Sequence, residues 1–204
     1  MSKTTILEPV NRTLTGWNKS EISLLNYQRY ILKKADKFRL GLIDLLYVSN
    51  FKGGNATINV EETLLNEKLM HYSEVFRQIE KRFCARELRD LSMAELEELT
   101  ALVKSVLLLT GKAETAIDGF KSSYLSALIH SYFPLLIPIL DRRLLVNLGI
   151  VNESNIIYGG QVRKIEGFYE ALITKIYQLS NATGSSVRSL DKKYFIIKLP
   201  DWAK

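Results

Sequence analysis

The amino-acid sequence predicts an all-α, multi-helix globular domain. Apolar residues recur at intervals of three and four through most of the chain. Alternation with a period of two is nowhere sustained, and glycine- or proline-marked breaks fall between the periodic segments. The apolar share of 47% is enough for a sizeable core.

The elements follow in order. Residues 1–19 read as an extended lead-in with Pro9 and no period. From Ser20, a fair N-cap, a helix is expected through Ile22, Leu25, Leu32, Ala35, Phe38, Leu42 and Leu45, with Gly41 as a kink or break. Ser49–Asn59 is a loop marked by Gly53-Gly54-Asn55. Residues 61–85 return to helical spacing through Leu64, Leu65, Leu69, Val75, Phe76, Ile79 and Phe83. Ser92-Met-Ala-Glu95 is a capping box opening a helix that Gly111 ends. Further helices are expected over Ser122–Phe133, from Asp141 to a stop at Gly149, over Gln161–Leu179, and from Ser185 to the tail, with Val151–Gly160 as a loop. This divides the chain into the lead-in, an N-terminal helical part (20–110) and a C-terminal part (111–204), the last two forming one compact two-lobed unit.

Composition excludes several classes. Four prolines and 11 glycines rule out a collagen-like chain. No run reaches the ~18 apolar residues of a membrane helix, the first residues lack a signal-peptide core, and Cys84 is alone. A cytoplasmic protein with no cofactor, metal site or membrane partner is the expectation. Net charge is +6. Residues 1–120 hold 17 bases and 16 acids, whereas residues 121–204 hold 11 bases and 6 acids, so the C-terminal part is the side expected to face a polyanion.

Residues 119–143, GFKSSYLSALIHSYFPLLIPILDRR, concentrate the unusual features. Pro134 and Pro138 cannot sit inside a helix, since each lacks the amide donor. The backbone between them should be extended or turn-like, leaving Asp141 at an N-cap. Arg142 and Arg143 then fall in a first turn, where the helix dipole disfavours cations, which points to a partner or to tertiary pairing. His130 reads first as a core histidine, and Tyr124 as core or as a stacking surface.

Ser126, His130, Pro134, Pro138, Asp141 and Arg143, with Val187–Phe195 downstream, resemble motifs of the helix-hairpin-helix DNA glycosylase superfamily over roughly residues 105–200. The likeness is to its 8-oxoguanine-glycosylase-like and uncharacterised bacterial members. The resemblance implies double-stranded DNA as partner, phosphate contacts at a Gly119 hairpin, extrusion of a base and a catalytic carboxylate at Asp141. It makes Asp141, Lys121 and Ser123 the candidate catalytic residues, and Gly119, Lys121, Arg142 and Arg143 the DNA contacts. His130 and Tyr124 are candidates for the pocket. Two departures stand out. Lys121 replaces the second hairpin glycine, and the family's Schiff-base lysine position falls on Ser123, which favours a monofunctional enzyme over a lyase. The alternatives are a non-catalytic DNA-binding helical module and a helical protein-interaction domain in which Asp141 is only a cap.

Overall fold

The computed structural model describes residues 11–54 and 56–203. Eight α-helices are present among them: α1 (Asn11–Lys33), α2 (Leu42–Phe51), α3 (Glu62–Phe83), α4 (Met93–Leu108), α5 (Ser122–Tyr132), α6 (Arg142–Asn147), α7 (Tyr169–Thr183) and α8 (Val187–Phe195). None is long and apolar enough to cross a membrane. A hairpin of β1 (Ile156–Ile157) and β2 (Gln161–Val162), antiparallel with Ile156 opposite Val162, lies between α6 and α7.

Helix α5 is the axis of the fold. Leu125 through Tyr132 are all buried, so the helix is enclosed on every side. Helices α1, α2 and α4 pack on it from the N-terminal part, while α7 packs on α4, and α8 on α6 and α7. Buried apolar residues form one cluster running from Leu24 to Ala203. Each fully buried Leu or Ile contributes roughly 1.5–3 kcal/mol, so this shared cluster is the main force joining the two parts.

The N-terminal region departs from the sequence expectation. The part of the expected lead-in from Asn11 to Lys19 is helical and continuous with α1, while residues 1–10 lie outside the described residues. Trp17, in that stretch, is 5% exposed and sits 5.3 Å from the Phe195 ring, so tertiary packing extends the helix. The buried face is also a different one. Trp17, Leu24, Tyr27 and Ile31 face the core, whereas Ile22, Leu25 and Leu32 are 62%, 45% and 81% exposed. Two apolar registers share α1, and the one carrying aromatic rings wins because it buries more surface.

The helix expected from Ser20 through Leu45, with a kink or break at Gly41, is two helices, and Gly41 is the N-cap of the second. The chain breaks after Lys33, Asp36 Oδ1 accepts from the Phe38 amide, and Asp44 Oδ2 accepts from the Gly41 amide at 2.8 Å to start α2. Downstream, Ser92 and Glu95 form the expected box, with Glu95 N donating to Ser92 Oγ and Ser92 N to Glu95 Oε2. The helix expected from Gln161 starts only at Tyr169. Residues 161–162 pair into the hairpin instead, because Gly159 and Gly160, with φ of 76° and 69°, reverse the chain there. Strands this short are too brief for alternation to register.

Candidate functional site

The two-proline segment is held by α5 itself. Ser126 Oγ donates to the Ser123 carbonyl and accepts from the Leu140 amide, both at 2.9 Å. His130 Nδ1 lies 2.6 Å from the Ile137 carbonyl. A carbonyl only accepts, so Nδ1 carries the proton and Nε2 is left as a bare acceptor. His130 is fully buried, and burial, with Arg188 nearby, pushes its imidazole down to about 3, so it stays neutral. The structure therefore moves His130 out of the candidate pocket and into the scaffold: it positions the loop that ends at Asp141.

Asp141 is the N-cap of α6. Its Oδ1 accepts from the Arg143 amide at 2.8 Å, and its Oδ2 from Lys52 Nζ at 2.7 Å. Burial works to raise its carboxyl, but the Lys52 ammonium, that hydrogen bond and the Arg143 amide outweigh it. The net effect is below the ordinary aspartate value, so the group is ionised. Its side chain is 19% exposed.

Asp141 and Lys52 lie where two cavities approach each other. On one side is a cleft of about 940 Å³ that gathers Gly119, Lys121, Ser123, Tyr124, Asp141 and Arg142. Five bases line it, Lys52, Lys121, Arg142, Arg163 and Lys164, against Asp141 and Glu166. Arg163 and Lys164, supplied by the hairpin's exit, are both exposed. On the other side is a cavity of about 730 Å³ between α1, the α2 end and α8, lined by Trp17, Phe51, Phe195, Arg143, Arg188 and Asp191 among others.

The candidate DNA contacts fare unevenly. Gly119 makes the bend from Ile117 to Phe120, with φ of 74°, and a Cβ there would stand 1.9 Å from the Thr57 carbonyl oxygen. Its amide does not face outward for a phosphate, because it donates to Asp118 Oδ1 at 2.9 Å. Lys121 is exposed at the start of α5 and lines the cleft; Ser123 and Tyr124 are half-buried beside it, with Tyr124 5.7 Å from the Phe120 ring. Arg142 Nη1 donates to the Gly160 carbonyl. Arg143 donates from Nε to the Phe195 carbonyl at 2.9 Å and from Nη2 to the Ile197 carbonyl at 3.3 Å. Both arginines are thus tertiary ties, Arg142 to the hairpin and Arg143 to the C-terminal segment, which explains bases in the first turn of α6. Arg143 lies in the wall of the second cavity, not of the cleft.

Sequence reasoning missed Lys52, Arg188 and Asp191 as site residues. Lys52 carried one signal, its place beside Gly53-Gly54, but nothing in the chain order tied it to a residue 89 positions away. Arg188 and Asp191 lie inside the Val187–Phe195 stretch that carried the resemblance, without a role. Asp191 is 1% exposed; its oxygens make no close hydrogen bond, and its partners are the Arg188 guanidinium at 4.0 Å and the nearby Ile139 amide. Burial pushes its carboxyl up to about 8, helped by Asp141, against the pull of Arg188, the Ile139 amide and Lys52. Arg188 Nη2 donates to Glu21 at 2.7 Å, while its Nε and Nη1 make no hydrogen bond and Nη1 faces Asp191 Oδ2 as an ion pair at 4.0 Å. Every buried side-chain polar atom left without a close hydrogen bond among the described residues belongs to His130, Tyr169, Arg188 or Asp191. Native proteins leave few such atoms, and here they fall on residues linked electrostatically: His130 to Arg188, and Tyr169 and Arg188 to Asp191.

No cluster of three or more histidine, cysteine or carboxylate side chains capable of holding a metal is found among the described residues. No family model, curated protein or solved structure matches this chain.

Proposed function

We propose that the protein binds double-stranded DNA along the Lys121–Lys164 cleft and releases a base from it, with Asp141 as the carboxylate that stabilises the positive sugar or activates water. One observation carries this reading. An ionised, partly exposed carboxylate stands where a cleft lined by five bases approaches an aromatic cavity large enough for a base. The cleft supplies phosphate contacts from Lys121, Arg163 and Lys164, and Asp141 meets the sugar between the two spaces. Hydrolysis balances simply: the C1′–N bond breaks with its electron pair leaving on the base, water adds its oxygen to C1′, and the water's proton ends on the base.

The Lys52–Asp141 ion pair also favours the alternative of a non-catalytic DNA-binding module, because it neutralises the carboxylate at rest. Duplex binding followed through a salt series tests the partner. Affinity should fall steeply with salt, with a log–log slope changed by about one on Lys164→Ala, and an absence of duplex binding at low salt removes the proposal. Incubation with lesion-bearing duplexes followed by alkali separates enzyme from module. Borohydride trapping then examines both amines. A monofunctional enzyme gives no adduct, and an adduct lost in Lys52→Ala but kept in Lys121→Ala assigns a lyase nucleophile to the lysine that faces Asp141.

A further inference from the structure

Helix α1 carries two stripes, and the fold uses one of them. Trp17, Leu24, Tyr27 and Ile31 enter the core, whereas Asn18, Ile22, Leu25, Arg29 and Leu32 are all exposed. The exposed five follow one another at intervals of 4, 3, 4 and 3 residues. That is the spacing of a helix–helix seam, with Ile22 and Arg29 at a positions and Asn18, Leu25 and Leu32 at d. At a rise of 1.5 Å per residue the seam is about 21 Å long. Scattered surface leucines need no explanation. A row in one register, on a helix whose other face is already buried, does. None of the five lines the basic cleft or the cavity beside Asp141, so this surface is independent of the DNA reading.

Charge and width decide what covers the seam. Helix α1 has one acid, Glu21, and Arg188 holds it at 2.7 Å. The charges left on the seam and its exposed flank are Lys19, Arg29 and Lys33, all positive. A second copy fits poorly. Parallel pairing sets Arg29 against Arg29, and antiparallel pairing brings the two lysine flanks together. A lipid surface is met by a wide apolar face with its bases on the other side, whereas this stripe is narrow and has Arg29 inside it. We propose that α1 is the docking seam for an acidic amphipathic helix of a partner protein. The partner's apolar a and d residues cover Ile22, Leu25 and Leu32, and its carboxylates pair with Lys19, Arg29 and Lys33.

The probe is a fluorescein-labelled peptide of about three heptads with Ile at a, Leu at d and Glu at e and g, set against the same peptide with Lys at e and g. Fluorescence anisotropy should show saturable binding of the acidic peptide, at least about tenfold tighter than of the basic one. Leu25→Glu combined with Leu32→Glu should weaken that binding about tenfold or more. Both side chains are exposed, so thermal melting of this variant should match the parent. Lys19→Glu, Arg29→Glu and Lys33→Glu together should reverse the preference between the two peptides. The parent and this charge-reversed protein decide the matter if the leucine variant does not fold. No saturable binding, equal affinity for the two peptides, or binding that ignores the leucine substitutions overturns the proposal. A solution dimer that those substitutions dissolve overturns it in favour of a second copy. Cosedimentation with phosphatidylserine-containing vesicles that they abolish overturns it in favour of lipid.

Discussion

Two aspartates in this protein are each 1% exposed, and their surroundings could hardly differ more. Asp44 is saturated. Tyr27 Oη donates to it at 2.8 Å, Tyr132 Oη at 3.2 Å, Lys34 Nζ at 2.9 Å to both oxygens, and the Gly41 amide at 2.8 Å. Burial, with Asp44 beside them, pushes both phenols above their ordinary value, so they remain donors. This cluster clamps α1, α2 and α5 together where the chain turns between the first two. Asp191 makes no close hydrogen bond and faces an arginine only at 4.0 Å. A polar group that serves the fold has its partners built in, since a buried unpaired group costs roughly 1–3 kcal/mol. One held by a single ion pair at 4.0 Å contributes little to the fold and has its charged form disfavoured by burial.

Removing each carboxylate should therefore move stability in opposite directions. Asp44→Ala strands the Lys34 ammonium, whose side chain is 9% exposed, together with two tyrosine hydroxyls. Breaking a buried pair from one side costs about 3–5 kcal/mol, and urea denaturation should show a loss of that order. A loss under ~1 kcal/mol would mean the cluster is no more than a surface-like ion pair. Asp191→Asn should instead stabilise the protein at alkaline pH. The folded-state carboxyl is raised from 3.8 to about 8, so between those values the folded protein holds a proton that the unfolded chain has released. Stability contributed by that proton is present below pH 3.8 and is lost as pH rises toward 8, by up to about 1.4 kcal/mol per unit. Melting curves at pH 5 and pH 8.5 check the sign: the unaltered protein should weaken more than Asp191→Asn over that interval. Parallel curves for the two proteins would show that Asp191 is already ionised in the fold and that the contrast with Asp44 is wrong.

A smaller effect concerns the bend. Gly119→Ala places a methyl 1.9 Å from the Thr57 oxygen and forces a positive φ on an L-residue. The expected cost is about 1–3 kcal/mol, read by urea denaturation, with weaker duplex binding as the α5 start shifts.

How legible this was in the sequence depended on the range of the interaction. The capping box at Ser92 and Glu95, the proline-broken segment and the cap at Asp141 could be read directly, because each is decided within four or five residues. The break between α1 and α2 was marked by Gly41, but the contacts that clamp the two helices there, among Asp44, Lys34 and Tyr132, join residues as many as 98 positions apart and were not legible. The buried face of α1 was misjudged for the same reason. Periodicity offered two stripes, and the choice of Trp17, Leu24, Tyr27 and Ile31 was made by their partners: Asp44 for Tyr27, and Arg188 and Phe195 for Trp17. At the site, Asp141 stood out locally, but Lys52, Arg188 and Asp191 come from three other stretches of chain. Their meaning lies in what each faces or fails to face, which spacing does not carry.

Asp141 is the intermediate case, and its replacement separates fold from chemistry most finely. Asparagine keeps an oxygen for the Arg143 amide, so the cap survives. The charge opposite Lys52 is lost, but the two side chains are 19% and 13% exposed, and water can take up part of the freed ammonium. The stability change should be about 1–3 kcal/mol, less than for Asp44. Duplex affinity should hold or rise slightly, because a negative charge leaves a cleft lined by five bases. Base release, by contrast, should fall by about 10²–10⁴ if the carboxylate acts on the sugar or on water, measured as alkali-labile sites on the best lesion duplex. A variant that folds, binds duplex normally and still releases the base would return Asp141 to the role of a helix cap. The cleft would then be a binding surface only.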